Sequence, residues 1–161
     1  AMLAGLVLCY GGDIALMFLS PKAFRIGLVL FLLGHVGYAI ALTAFSGFVR
    51  ADMISGAVLL ALALAIFLYL KPGLGDMKVP VVFYILIISF MVNRAVSVSF
   101  GDYFTPVQAV VIAAGAVLFY VSDVILAAAR FRTQWRYNRI SLAFYYSGQA
   151  CLALSAGMFG M

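Results

Sequence analysis

Two aspartates lie inside long apolar runs of the sequence: Asp13 in Tyr10-x-x-Asp13-x-x-Leu16, and Asp123 in Tyr120-x-x-Asp123-x-x-Leu126. An ionisable group at membrane depth costs roughly 3 kcal/mol on insertion scales, so residues of this kind mark function by default. His35 and Arg94 are the other two ionisable side chains so placed. Two carboxyls together suit acid/base chemistry, one bearing a proton and the other ionised. Low dielectric favours the neutral form of a carboxyl, and hydrogen bonds from Tyr or Gln favour the anion. Donors are at hand. His35 and Tyr38 are spaced i, i+3, and Gln149 follows Tyr145 by four residues and Tyr146 by three, so each pair shares a helix face. Arg94, next to Asn93, has two readings: it snorkels to the outer interface, or it points inward and holds an anion.

Other chemistries lack their residues. The sequence contains no G-x-S-x-G, no H-E-x-x-H and no C-x-x-C, so neither a serine hydrolase elbow nor a zinc site is signalled. The five acids are all Asp and there is one His; a metal would need Asp residues with His35, and no metal or other cofactor is expected. Cys9 and Cys151 fall within apolar runs and read as reduced packing residues.

The elements that must position these side chains are membrane spans. Of 161 residues 67% are hydrophobic and 9% charged, and the mean hydropathy is +1.20. A soluble domain carries roughly 25% charged residues, and a disordered chain is poor in aromatics; both classes are excluded. The expected fold is all-α, a polytopic transmembrane helical bundle forming one integral-membrane domain over 1–161. Its six spans run at about 1–19, 24–45, 53–70, 79–99, 106–129 and 141–161, most of them near the ~20 residues that a crossing needs. Ala1 starts directly in apolar sequence without an initiator Met or polar leader, so a longer parent chain is expected.

The net charge of +5 sits in short loops and does not point to nucleic acid. Lys22, Arg25, Lys71, Lys78, Arg130, Arg132, Arg136 and Arg139 fall in the first, third and fifth connections, which the positive-inside rule makes cytoplasmic. Trp135 and Tyr137 read as interfacial anchors there. Asp52, Asp76 and Asp102 fall in connections. Asp13 and Asp123 then each lie six residues before a cytoplasmic span end, about 9 Å deep at the helical rise. Their shared depth and shared Tyr-x-x-Asp-x-x-Leu setting hint at a parallel internal repeat.

Several segments resemble the YhhN family: Gly12-Asp13-x-x-Leu16, Gly34-His35-x-x-Tyr38, Arg94-Ala95, Gly115-Ala116-x-Leu118-Phe119-x-x-Ser122-Asp123-x-x-Leu126-Ala127, and Tyr145-Tyr146-x-x-Gln149 with Leu154-Ser155. They run in family order over nearly the whole chain. The family looks like an eight-span bundle, and this chain resembles its last six. The resemblance implies a lysoplasmalogenase: hydrolysis of the vinyl-ether bond of a lysophospholipid-type substrate, giving a fatty aldehyde and glycerophosphocholine or glycerophosphoethanolamine. Such cleavage needs an acid to protonate the enol-ether carbon, stabilisation of an oxocarbenium, and a water, as in glycoside hydrolysis. Asp13 and Asp123 are the expected catalytic pair. His35, Tyr38, Asn93, Arg94, Tyr145, Tyr146 and Gln149 are the expected binding and supporting residues. The expected location is an integral multi-pass protein of the plasma or inner membrane in a bacterium, or of an endomembrane in a eukaryote, with membrane lipid as partner.

A competing class is a proton-coupled transporter of small molecules or lipids, since Asp, His and Arg within a bundle also build proton relays. The spans lack the Gly/Pro breaks at mid-depth that transporter helices usually carry.

Overall fold

A computed structural model describes residues 2–18, 20–133 and 139–157. All regular structure among them is helical: α1 (Met2–Met17), α2 (Pro21–Ser46), α3 (Ala51–Leu70), α4 (Lys78–Ser97), α5 (Pro106–Ala128) and α6 (Arg139–Gly157). The chain is an all-α bundle of the polytopic membrane type, with a helix at each of the six expected spans. Among the described residues four stretches are long and apolar enough to cross a membrane: Pro21–Ser46, Ala51–Gly73, Gly75–Phe100 and Pro106–Arg132. Helix α1 is apolar but has 16 residues, and α6 carries Tyr145, Tyr146 and Gln149 in its middle. Trp135, Arg136 and Tyr137 lie outside the described residues.

Local chemistry sets the starts of the helices. Ser20 accepts the Ala23 amide at 3.1 Å with Pro21 at the first helical position of α2, where the missing proline N–H is no loss. Thr105 and Gln108 form a reciprocal capping box ahead of α5, again followed by proline. Short connections then force neighbouring helices to run antiparallel.

Glycines let two helix pairs close tightly. A Cβ on Gly34 of α2 would meet the Cys9 Sγ of α1 at 2.7 Å, and one on Gly148 of α6 would meet the Gly115 carbonyl oxygen of α5 at 2.8 Å. Small residues at helix crossings are how membrane bundles gain packing without a hydrophobic driving force. The α1–α2 and α5–α6 pairs are the most extensive contacts in the bundle, and α4 packs against α2, α3 and α5. The main core joins Phe31, Tyr38, Ile88, Met91, Ile112, Phe119 and Leu152; a second cluster joins α3 to α4 through Ala63, Leu70, Val81 and Ile85.

Helix α3 faces outward. Only Asp52, Ala63 and Leu70 of it are buried, while Met53, Ile54, Val58, Leu60, Leu64 and Leu68 are exposed. So large an apolar face on a helix with satisfied backbone groups has lipid as its solvent.

Candidate active site

Asp13 stands four residues before the end of α1, and Asp123 five before the end of α5. Counted from those ends, the two stand within one residue of each other. They interact electrostatically, yet each has its own tyrosine and its own cavity.

Asp13 ends a directed chain of hydrogen bonds. The Tyr38 hydroxyl donates to Gln149 Oε1 at 3.0 Å. The Gln149 amide donates to the Tyr145 hydroxyl at 3.2 Å, which donates to Asp13 Oδ2 at 2.7 Å. Every donor points the same way, so each bond polarises the next. The chain ties α2, α6 and α1 together, with the Cys9 thiol against its Tyr38 and Gln149 members. Asp13 opens into a groove of about 620 Å³ that Tyr10, Tyr146 and Gln149 also line. Tyr146 is exposed and meets the Tyr145 ring edge to face at 5.2 Å.

Asp123 is held differently. The Tyr84 hydroxyl of α4 donates to its Oδ2. His35 Nε2 lies 3.9 Å from the same oxygen, too far for a hydrogen bond. The imidazole is wholly buried, and its Nδ1 sits 2.6 Å from the Phe31 carbonyl oxygen. A carbonyl only accepts, so Nδ1 carries hydrogen and the neutral ring presents Nε2 as an acceptor. That Nε2 has no hydrogen-bond partner among the described residues. The ring is clamped edge to face by Phe119 at 4.6 Å and Tyr84 at 5.4 Å. His35 thus stands behind Asp123.

In front of Asp123 lies a chamber lined almost wholly by apolar side chains of α1 to α5. Leu16, Phe24, Phe31, Ile66, Ile88 and Val124 are among them, with Tyr84 and Tyr120. Asp123 is the one carboxylate on its wall. Phe31 and Phe119 separate this side from the Asp13 side, each edge to face with Tyr145 at 5.9 and 5.1 Å.

The i, i+3 tyrosines behave as the spacing predicts in one respect. Tyr10 shares a groove with Asp13, and Tyr120 a chamber with Asp123. The hydroxyls bonded to the carboxylates come from other helices, Tyr145 and Tyr84. Tyr120 instead accepts from Ser89 at 3.3 Å. Tyr84 was not singled out from sequence; its only signal is a polar hydroxyl in the apolar run of α4, within two helical turns of Lys78.

Asn93 and Arg94 are not brought to either carboxylate. The Ser55 hydroxyl donates to the Asn93 side chain. Arg94 is fully buried and does not snorkel. Its anion is internal: it donates to Asp52 Oδ2 at 2.7 Å, to Ser46 Oγ at 2.6 Å and to the Gly47 carbonyl, with its guanidinium 4.3 Å over the Phe48 ring. Asp52, expected in a connection, is buried in the first turn of α3. Gly47 adopts φ 60°, ψ −161°, a region open to glycine alone, and its carbonyl serves this knot.

Cys9 and Cys151 are free thiols, and among the described residues no three His, Cys, Asp or Glu side chains converge as metal ligands. No solved structure matches the chain. The family model that matches is that of the YhhN family, over residues 1–156, and a match of this extent means that the chain belongs to the YhhN family.

Proposed function

We propose that this membrane protein is a multi-pass hydrolase that cleaves the vinyl-ether bond of lysoplasmalogens, releasing a fatty aldehyde and a glycerophospho-alcohol such as glycerophosphocholine or glycerophosphoethanolamine. The observation that carries the reading is the apolar chamber whose single carboxylate is Asp123. A hydrocarbon chain fits such walls, and the bond at its polar end then meets an acid. Membership of the YhhN family supports the same reading.

The chemistry follows from the two carboxyls. Oδ2 of Asp123 is taken by Tyr84, which leaves Oδ1 to present the proton to the chamber. Transfer of that proton to the β-carbon of the vinyl ether forms an oxocarbenium at the carbon bonded to oxygen. Asp123 is then an anion beside the cation, and Asp13, within electrostatic reach, adds a second negative charge in a medium where water does little screening. A water adds to the cationic carbon and returns its proton to Asp123. The hemiacetal collapses to aldehyde and alcohol, so one water is consumed and no proton is gained or lost. His35 acts through Asp123, as a clamped ring behind the carboxyl that fixes where the carboxyl sits. Tyr38, Tyr145 and Gln149 position Asp13.

The test is product analysis with purified protein and lysoplasmalogen beside an ester lysophospholipid. The expected result is aldehyde from the first and no fatty acid from the second. In correctly inserted Asp123→Asn and Asp13→Asn variants aldehyde release falls by a factor of about 100 or more. Wild-type turnover in either variant, or cleavage of the ester alone, overturns the proposal.

A further inference from the structure

The chamber in front of Asp123 has a charged rim. Directly after α5 the chain makes a π-helical turn, Ala129–Thr133, an irregularity that clusters at functional positions in helices. This turn sets Arg130 with its guanidinium carbon 4.9 Å over the Phe24 ring, and Arg132 5.1 Å over the Tyr69 ring. Phe24 and Phe131 meet edge to face at 5.9 Å, and both line the chamber. Arg130 is therefore seated on the chamber wall. A loop arginine that only orients a chain in its membrane needs no such seat. Among the described residues neither arginine pairs with a carboxylate; the arginine that does is Arg94, with Asp52.

We infer that Arg130, supported by Arg132, is a phosphate-binding site for an amphiphile whose hydrocarbon chain occupies the chamber. The planar guanidinium fork matches two phosphate oxygens at once. The spacing agrees with the proposed reaction, on which the identity of the bond at Asp123 rests. Asp123 and Arg130 are seven residues apart, about 10 Å along a helix, and a helical side chain leans back toward the N-terminus, which shortens the gap. Five single bonds separate the ether oxygen of a lysolipid from its phosphorus, about 6 Å when extended. A phosphate on Arg130 leaves the ether beside Asp123. The remaining chain has room ahead of it. Ile66, Tyr120 and Val124 also line a second apolar space between α3, α4 and α5, so the tail runs past them toward the exposed face of α3.

The test is equilibrium binding to the intact protein in an uncharged detergent, with two probes that carry no cleavable bond: 1-O-hexadecylglycerophosphocholine and 1-O-hexadecylglycerol. The wild type binds the phosphate-bearing probe about tenfold more tightly, the worth of one charge-assisted hydrogen-bonded pair. Arg130→Gln removes most of that preference and Arg130→Lys part of it, while both keep wild-type affinity for the glycerol ether, which reports an intact chamber. Arg139→Gln, which alters an exposed arginine at the start of α6, leaves the preference unchanged. A preference that survives Arg130→Gln, or that Arg139→Gln reduces equally, overturns the site. Because neither probe is cleaved, a wild type that releases no aldehyde sinks the proposed reaction and leaves this measurement standing.

Discussion

His35 Nε2 faces Asp123 Oδ2 across 3.9 Å and has no hydrogen-bond partner among the described residues. A buried ring nitrogen without a partner costs stability, and Phe119 and Tyr84 hold the ring there. On the proposed reaction His35 is a positioning residue for Asp123. His35→Gln should lower kcat about 10- to 100-fold with KM nearly unchanged, and should change the pH profile of kcat. A variant with a wild-type profile would show that the ring only fills space.

Tyr84 and Tyr145 are the donors to the two carboxylates, whereas Tyr10 is exposed and bonded to neither. Tyr84→Phe and Tyr145→Phe should each reduce aldehyde release roughly tenfold, the scale of one hydrogen bond to a charged group. Tyr10→Phe should leave it unchanged. Equal effects in all three would mean that ring packing, not the hydroxyl, matters.

The Arg94–Asp52 pair is buried and bonds to neither Asp13 nor Asp123. Removing one partner strands a charge: Arg94→Met or Asp52→Leu should lower unfolding stability by about 3–5 kcal/mol. The double variant Arg94→Met with Asp52→Leu should recover much of the loss, since a buried pair is often replaceable by apolar groups. Thermal unfolding in detergent checks this. Full stability in either single variant would contradict a buried pair.

Gly148 lets α6 touch the backbone of α5, where an added Cβ would meet the Gly115 carbonyl at 2.8 Å and the Phe119 amide at 2.9 Å. Gly148→Ala should cost about 1–3 kcal/mol by overpacking. It should also weaken turnover, because Tyr145 and Gln149 ride on the same helix. Thermal unfolding read beside aldehyde release separates the two effects.

The sequence carried the periodic, strongly apolar parts of the fold. All six runs became helices; α5 starts at Pro106 as expected, and α2 starts three residues earlier than expected, where Pro21 fixes it. It also carried the nearness of Asp13 and Asp123 to the C-terminal ends of their helices, because that depends only on residue count. Which helix supplies a hydroxyl to which carboxylate was not legible, since it depends on rotation and crossing angle; Tyr84 was missed for that reason. For Arg94 the inward reading held, but the anion it holds was not legible. A buried guanidinium needs a counter-charge, and Asp52 offered one at the same end of the bundle, but the two stand 42 positions apart in the sequence.

The outward face of α3 has a kinetic consequence. On the proposed reaction, protein and substrate share one solvent, the bilayer, so their encounters occur in two dimensions. The governing variable is the mole fraction of lysolipid among its neighbours, and its concentration in the surrounding water does not set the rate. Adding inert phospholipid to vesicles at a fixed bulk amount of substrate should therefore slow aldehyde release, with no inhibitor present.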